Sequence, residues 1–288
     1  DLTASYHSAR GWRLLSVDVK SAFMKGAPYL AGTRELFVEN VKGRHGEPML
    51  PFCAIGLAKV KKGVFGLSDA PRQWYLRLHR ALTELGWIRS TMDAVCWFLW
   101  GKSDSGERIL LGVVLSHVDD LLCGGCKEAL DSIMSLEAQL GFGTVERDSF
   151  VYCGKKVSQD EHGVVHVTMP EYHANLQPVS ILPHRKRQPD AELTDGERRQ
   201  LRAILGSLQW LLAQVRVDQG FALSTLQGEK PTIGTLLRAN ILVKNFKSTA
   251  SFGLRFYPMS LKNCGIMVVS DASLGNVTKD RSEERRVG

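Results

Sequence analysis

His117-Val118-Asp119-Asp120 sets two adjacent carboxylates between two apolar stretches, the run Ile109 to Leu115 before it and Leu121-Leu122 after it. An unpaired carboxylate is expensive to bury, so such a pair needs cations or strong hydrogen-bond donors. A tight turn that presents Asp to a divalent metal meets that need. A further carboxylate, Asp18, lies at the end of another apolar run, Leu15-Ser16-Val17-Asp18-Val19. Two strands that each deliver an acidic tip would assemble a two-metal phosphoryl-transfer site, where cations offset the charge that builds on oxygens. Taken alone, Asp18 reads equally well as an ordinary strand-end carboxylate.

These tips need elements to carry them. Leu14 to Val19 reads as a strand, and Ser21 to Lys25 as a turn or helix start closed by Gly26 and Pro28. Glu35 to Glu39 alternates as an exposed strand would, and residues 42 to 51 carry the Gly and Pro of a loop. Leu2 to Arg10 could form a short helix ended by Gly11. Asp69 to Leu85 is the clearest helix. Asp69 can cap it, Pro71 suits its first turn, Trp74, Leu78, Leu82 and Leu85 recur on one face, and Gly86 stops it. Ala94 to Trp100 and Arg108 to Leu115 read as two strands, the second running into the Asp pair. Lys127 to Leu140 reads as one amphipathic helix stopped by Gly141, and Phe150 to Val157 with Val164 to Thr168 as a hairpin around Gly163.

Composition changes at Pro178 to Glu192, where three prolines and His184-Arg185-Lys186-Arg187 suggest a linker. The basic run could touch a phosphate backbone or serve as a nuclear address; a solvated linker is the plainer reading. Thr194-x-x-Glu197 is a capping-box signature ahead of a long helix, and another helix spans about Thr232 to Lys247. A mixed first part is therefore followed by an all-helical stretch over 178–250.

The chain has 288 residues, 44% of them hydrophobic, enough for two or more compact parts. Its net charge of +7 is consistent with a phosphate-bearing partner. No apolar run reaches the length of a membrane span, and no secretory signal stands at the N-terminus. Six scattered cysteines are too few for a disulfide scaffold, which points to a reducing compartment. Cys123-Gly124-Gly125-Cys126 is formally a C-x-x-C, but no second half-site completes a zinc set, so it reads as two incidental thiols on a strand exit.

Several segments carry a family resemblance. Leu15 to Phe23 resembles the first catalytic motif of reverse transcriptases of copia-type retrotransposons. Val64-Phe65-Gly66-Leu67-Ser68-Asp69-Ala70-Pro71-Arg72-Gln73-Trp74-Tyr75 is similar to that family's YGLKQAPRQW segment, and His117 to Asp120 to its YVDD motif. Tyr152-Cys153-Gly154, Leu205 to Leu211 and Ser270-Asp271-Ala272 resemble its FLG, VGSLLYL and SDAD segments. The motifs occur in the family's order, with the two Asp motifs about 100 residues apart. The chain departs from the pattern at His117, where Tyr is usual, at Ser68-Asp69 in place of Lys-Gln, and at Val215-Arg216-Val217-Asp218 in place of T-R-P-D.

The resemblance implies an α+β fold: a right-hand polymerase palm with a small antiparallel sheet and flanking helices, then a helical thumb or connection. It implies partial fingers and palm over 1–177, thumb and connection over 178–262, the first strand of a truncated RNase H domain over 263–280, and a foreign or disordered tail over 281–288. It makes the chain a piece of a Pol polyprotein whose reaction is RNA-directed DNA synthesis, and the partners a template-primer of RNA or DNA, deoxynucleoside triphosphates and the rest of Pol, with no membrane. Asp18, Asp119 and Asp120 would be the catalytic metal ligands for two Mg²⁺ ions, with Mn²⁺ as a substitute. Val19, Phe23, Phe65 and Gly66 would bind the nucleotide, Phe23 crowding the sugar 2′ position, and His117 would lie near the primer end. Phe23 and Trp74 also read as core residues. Asp271 would be a ribonuclease H ligand in a domain too short to be hydrolytic. With 17 residues before Asp18, the chain alone is expected to polymerise poorly. The rival expectations are a catalytically inactive transposon remnant that folds and weakly binds nucleic acid, and a different two-metal nuclease or phosphotransferase.

Overall fold

The structure is a computed structural model that describes residues 11–30, 32, 35–40, 44–47 and 56–258. The short helix expected over Leu2 to Arg10, most of the loop over 42–51, Asp271 and the tail over 281–288 lie outside the described residues.

Alternation of apolar and polar side chains builds the first unit, which runs to Tyr152. In β1 (Arg13–Val19), Leu15, Val17 and Val19 are fully buried. Successive strand residues point to opposite faces, so Ser16 and Asp18 share the other face. A short 3-10 turn follows at Ala22–Lys25, and β2 (Phe37–Glu39) pairs antiparallel with β3 (Leu57–Lys59). Helix α1 (Ala70–Glu84) buries Trp74, Leu78, Ala81 and Leu82, the face that its periodicity predicts. Gly86 ends this region at φ 84°, a left-handed conformation that costs glycine nothing. The expected Asp69 cap is corrected: its side chain makes no capping bond and accepts from the Tyr29 hydroxyl at 3.0 Å.

Strands β4 (Ile88–Arg89), β5 (Cys96–Lys102), β6 (Arg108–His117) and β7 (Asp120–Gly125) follow. With β1 and β8 (Phe142–Arg147) they form one six-stranded sheet in the order β4-β5-β6-β7-β1-β8. Every pairing in it is antiparallel. No apolar periodicity marks β8, whose residues are mostly exposed. The helix expected over Lys127 to Leu140 is two, α2 (Lys127–Met134) and α3 (Glu137–Leu140). At the break the Ser135 hydroxyl donates to the Ser132 carbonyl at 2.7 Å, a local bond that competes with the helix ladder, while Leu136 and Leu140 are fully buried. The helices and one face of the sheet share a single core, in which each large apolar side chain contributes roughly 1.5–3 kcal/mol. Strand β9 (Ser149–Tyr152) closes the unit.

The second unit begins at Cys153, whereas the sequence marks its compositional change at Pro178. Strands β10 (Lys155–Gln159), β11 (Val165–Thr168) and β12 (Leu254–Phe256) pair antiparallel, β10 and β11 forming a hairpin around Gly163; the strand expected over Phe150 to Val157 is instead broken at Cys153-Gly154, both at positive φ, into β9 and β10. Between β11 and β12 run α4 (Pro170–Asn175), α5 (Pro183–Lys186), α6 (Asp195–Gln214), α7 (Gly220–Gly228) and α8 (Ile233–Ser248). Thr194 and Glu197 form the expected capping box, and Thr232 and Thr235 form a second. The basic run is no bare linker, because Arg185 grips Glu197 with two hydrogen bonds of 3.0 and 2.8 Å. Arg216, fully buried, makes a two-pronged pair with Asp218 and stacks on Phe246 at 4.7 Å. Such pairing is what allows a guanidinium to be buried. Burial also holds the adjacent His173 below the usual imidazole range.

Candidate active site

The carboxylates arrive from two strands that are neighbours in the sheet. Strand β1 pairs with β7 so that Asp18 stands directly opposite Asp120. Leu121 and Cys123 of β7 are buried in the core, so Asp120 projects to the other face, the one that carries Asp18. Directly opposed Cβ atoms in such a pair lie about 5 Å apart. Asp119 occupies the turn between β6 and β7, and its carbonyl accepts from the Val19 amide at 2.9 Å. The first acidic motif thereby fixes the backbone of the second.

The turn itself is short. His117 pairs with Asp120, leaving Val118 and Asp119 as a two-residue hairpin loop. Val118 sits at φ 59°, a left-handed conformation that is unfavourable for a β-branched residue. Surrounding contacts must enforce it. One of them comes from α1: the Trp74 indole N–H donates to the Val118 carbonyl at 2.6 Å. Trp74 is 2% exposed, so its ring belongs to the core while its polar edge reaches the acidic turn.

Three acids here lack counter-charge. Among the described residues, no lysine, arginine or histidine forms an ion pair with Asp18, Asp119 or Asp120. Burial raises the Asp120 carboxyl above the usual carboxylate range, and the negative charges of Asp119 and Asp18 raise it further, against a smaller opposing effect of His117. Hard divalent cations take oxygen ligands and relieve this kind of repulsion, so the donor set fits Mg²⁺ or Mn²⁺. Among the described residues no three acidic, histidine or cysteine side chains are grouped so as to hold a metal ion by themselves.

One contributor has no chemical group to betray it. Gly143 of β8 faces Asp18 across a register shift between Val17 and Val19. A Cβ on Gly143 would lie 2.3 Å from an Asp18 carboxylate oxygen. Only a residue without a side chain leaves that carboxylate its place. The expected nucleotide-binding residues also divide. Phe23 and Phe65 are brought together, edge to face, with ring centroids 5.4 Å apart. Gly66 follows in a left-handed conformation at φ 92°. Phe65 is 65% exposed, so the aromatic pair opens to solvent on that side. Val19 contributes its amide to the Asp119 carbonyl. His117 is exposed at the hairpin base. Within the C-x-x-C, Cys123 is wholly buried, which pushes its thiol up, while the partly exposed Cys126 is the N-cap of α2.

No protein-family model matches the chain. It is similar to curated transposon proteins. A retrovirus-related Pol polyprotein from transposon RE2 of Arabidopsis thaliana is 25% identical over 236 residues, covering 75% of this chain and 15% of that protein. The corresponding polyprotein from transposon RE1 of the same plant is 25% identical over 233 residues, covering 75% of this chain and 14% of its own length. That from transposon TNT 1-94 of Nicotiana tabacum is 27% identical over 116 residues, covering 40% of this chain and 8% of its own length. The chain therefore matches retrotransposon Pol polyproteins along most of its length and spans about one seventh of the first two relatives.

Proposed function

We propose that this chain is the palm and adjoining helical region of a retrotransposon reverse transcriptase, and that within the Pol polyprotein it supplies the acidic site for RNA-directed addition of deoxynucleotides to a primer end. The observation that carries this reading is the cross-strand pairing of Asp18 with Asp120 beside the Asp119 turn. The six-stranded antiparallel sheet backed by α1 and α2 suits a polymerase palm, and the similarity to Pol polyproteins supports the retroelement setting.

In this mechanism Asp18 and Asp119 would hold two Mg²⁺ ions, and Asp120 would add negative charge beside them. Bound there, the ions would supply Lewis-acid stabilisation of charge on the phosphate oxygens. The primer 3′-oxygen attacks the α-phosphorus of the triphosphate, and pyrophosphate leaves. The protein's share is positioning. The Val19 amide and the Trp74 indole fix the acidic turn, and Gly143 leaves room for the Asp18 carboxylate. Phe23, backed by Phe65, would stand beside the sugar and exclude a 2′-hydroxyl.

Primer extension by a Pol segment containing these residues tests the reading. Asp18→Asn and Asp119→Asn should each reduce extension at least a hundredfold while circular dichroism stays unchanged. Such charges carry much of the barrier reduction in sites of this kind. Activity within about tenfold of the parent, roughly 1.4 kcal/mol of barrier, would refute the assignment. The exposed His117 at the base of the acidic hairpin favours a second reading, a folded remnant that binds nucleic acid without turnover. In that case the parent segment would bind template-primer and Mn²⁺ yet extend nothing.

A further inference from the structure

A second charged feature of the first unit has the opposite sign. A cavity of about 270 Å³ is lined by Lys25, Lys62, Arg77 and Arg80, together with Gln139 and residues 26–28, and among the described residues no carboxylate lines it. Its walls are held from several directions. The Ala27 amide donates to the Gln73 carbonyl at 2.9 Å, and Pro28 forms a β-bridge with Lys62. Gly26 lies so close to α1 that a Cβ there would be 3.0 Å from the Gln73 backbone. Arg77 and Arg80 are one helical turn apart on α1 and so face the same way.

The donors outnumber their acceptors. Lys25 gives one N–H to the Gly141 carbonyl at 2.8 Å, and Arg77 makes a long 3.5 Å contact with Gln139. Lys62 and Arg80 have no hydrogen-bond or ion-pair partner among the described residues. An ammonium carries three donors and a guanidinium five, and neither accepts. Four cations converging without an acid repel one another unless an anion joins them. Arginine pairs bidentately with phosphate oxygens, and lysine binds them as a point charge.

We infer that this cavity binds a phosphodiester group of a nucleic-acid strand, as an anchor separate from the acidic site. The inference rests on the polymerase reading only for the choice of a nucleic acid as the phosphate's source. Among the described residues no aromatic ring lines the cavity, so they offer no platform on which a base would stack. The contact is therefore to the backbone and indifferent to sequence, as positioning contacts are. Half-buried Lys25 and Arg77 lie deeper, with exposed Lys62 and Arg80 at the rim, where a strand would pass.

The test is fluorescence anisotropy of labelled dT and dA oligonucleotides with the full chain in EDTA, over a salt series. Each phosphate neutralised on a single strand contributes roughly 0.7 to the slope of log affinity against log salt. Lys62→Ala/Arg80→Ala should weaken both oligonucleotides equally, about tenfold at low salt, and lower the slope by roughly 1. Both positions are exposed, and circular dichroism checks the fold. Arg202→Ala/Lys244→Ala removes the same charge from exposed positions elsewhere and should change binding less than threefold. An unchanged slope in the first variant, or an equal loss in the second, overturns the inference. So does tripolyphosphate binding that the first variant loses while oligonucleotide binding persists. Asp18→Asn/Asp119→Asn should keep the cavity-dependent binding. Failure of the polymerase reading would thus appear as lost turnover with the anchor intact.

Discussion

The indole N–H of Trp74 donates to the carbonyl of Val118 at 2.6 Å, which ties the core helix α1 to the turn that carries Asp119. Trp74 thus both packs the core and positions the acidic turn. Trp74→Phe keeps a ring but removes the donor. We expect a loss of about 1 kcal/mol in unfolding free energy, the usual value of one hydrogen bond. Primer extension should fall by about tenfold or more, because small displacements of reacting groups are costly. Denaturant melts and extension rates measured together would show it; an intact rate would leave the bond structural only.

Val118 stores strain that can be measured. Its φ of 59° suits Asn far better than a β-branched residue. The Val118 side chain is largely exposed, so Val118→Asn gives up little burial. We expect it to stabilise the chain by about 1 kcal/mol, the lower end of the cost of such a conformation. A lower melting temperature in the variant would contradict this.

Gly143→Ala should disturb Asp18 without removing any charged group. The added methyl would have to displace the carboxylate oxygen 2.3 Å away. Mn²⁺ affinity, read by electron paramagnetic resonance, should drop about tenfold or more while the fold persists. Parent-like Mn²⁺ binding would mean that Asp18 can move aside at no cost to the site.

Phe23→Val opens the space next to Phe65. The ratio of ribonucleotide to deoxynucleotide incorporation should rise at least tenfold, since a steric gate loses its wall. Steady-state kinetics with both nucleotide types decide the matter. An unchanged ratio would return Phe23 to a packing role.

Glu197 gives the second unit an acid-sensitive clasp. Hydrogen bonds from Arg185, then from the Thr194 backbone and hydroxyl, hold its carboxyl down to about 2 from an ordinary 4.5. The folded state therefore binds this proton less readily than the unfolded chain does. The stabilisation is fully present above about pH 4.5 and is lost as pH falls towards about 2. Glu197→Gln should lower stability by about 1 kcal/mol at pH 7, the scale of a lost cap, and flatten the dependence of melting temperature on pH in that window. Parallel acid melts of parent and variant would reveal an unchanged pH dependence if the clasp is weak.

Three elements were legible from local pattern. The alternation in Leu15, Val17 and Val19 specified a strand with Asp18 on its opposite face. The recurrence of Trp74, Leu78 and Leu82 specified α1, and Thr194 with Glu197 specified the start of α6. These signals act over a few residues, where side chain and backbone meet directly. Long-range pairing and packing set the remainder. Register across β1 and β7 set Asp18 opposite Asp120, and the pairing of β1 with β8 made a glycine part of the acidic site. Packing of α1 carried the Trp74 N–H to Val118 and gathered four cations around one cavity. The sequence has no local mark for any of these. Each joins residues far apart along the chain, and their proximity follows from how strands pair and helices pack rather than from the preference of any one segment.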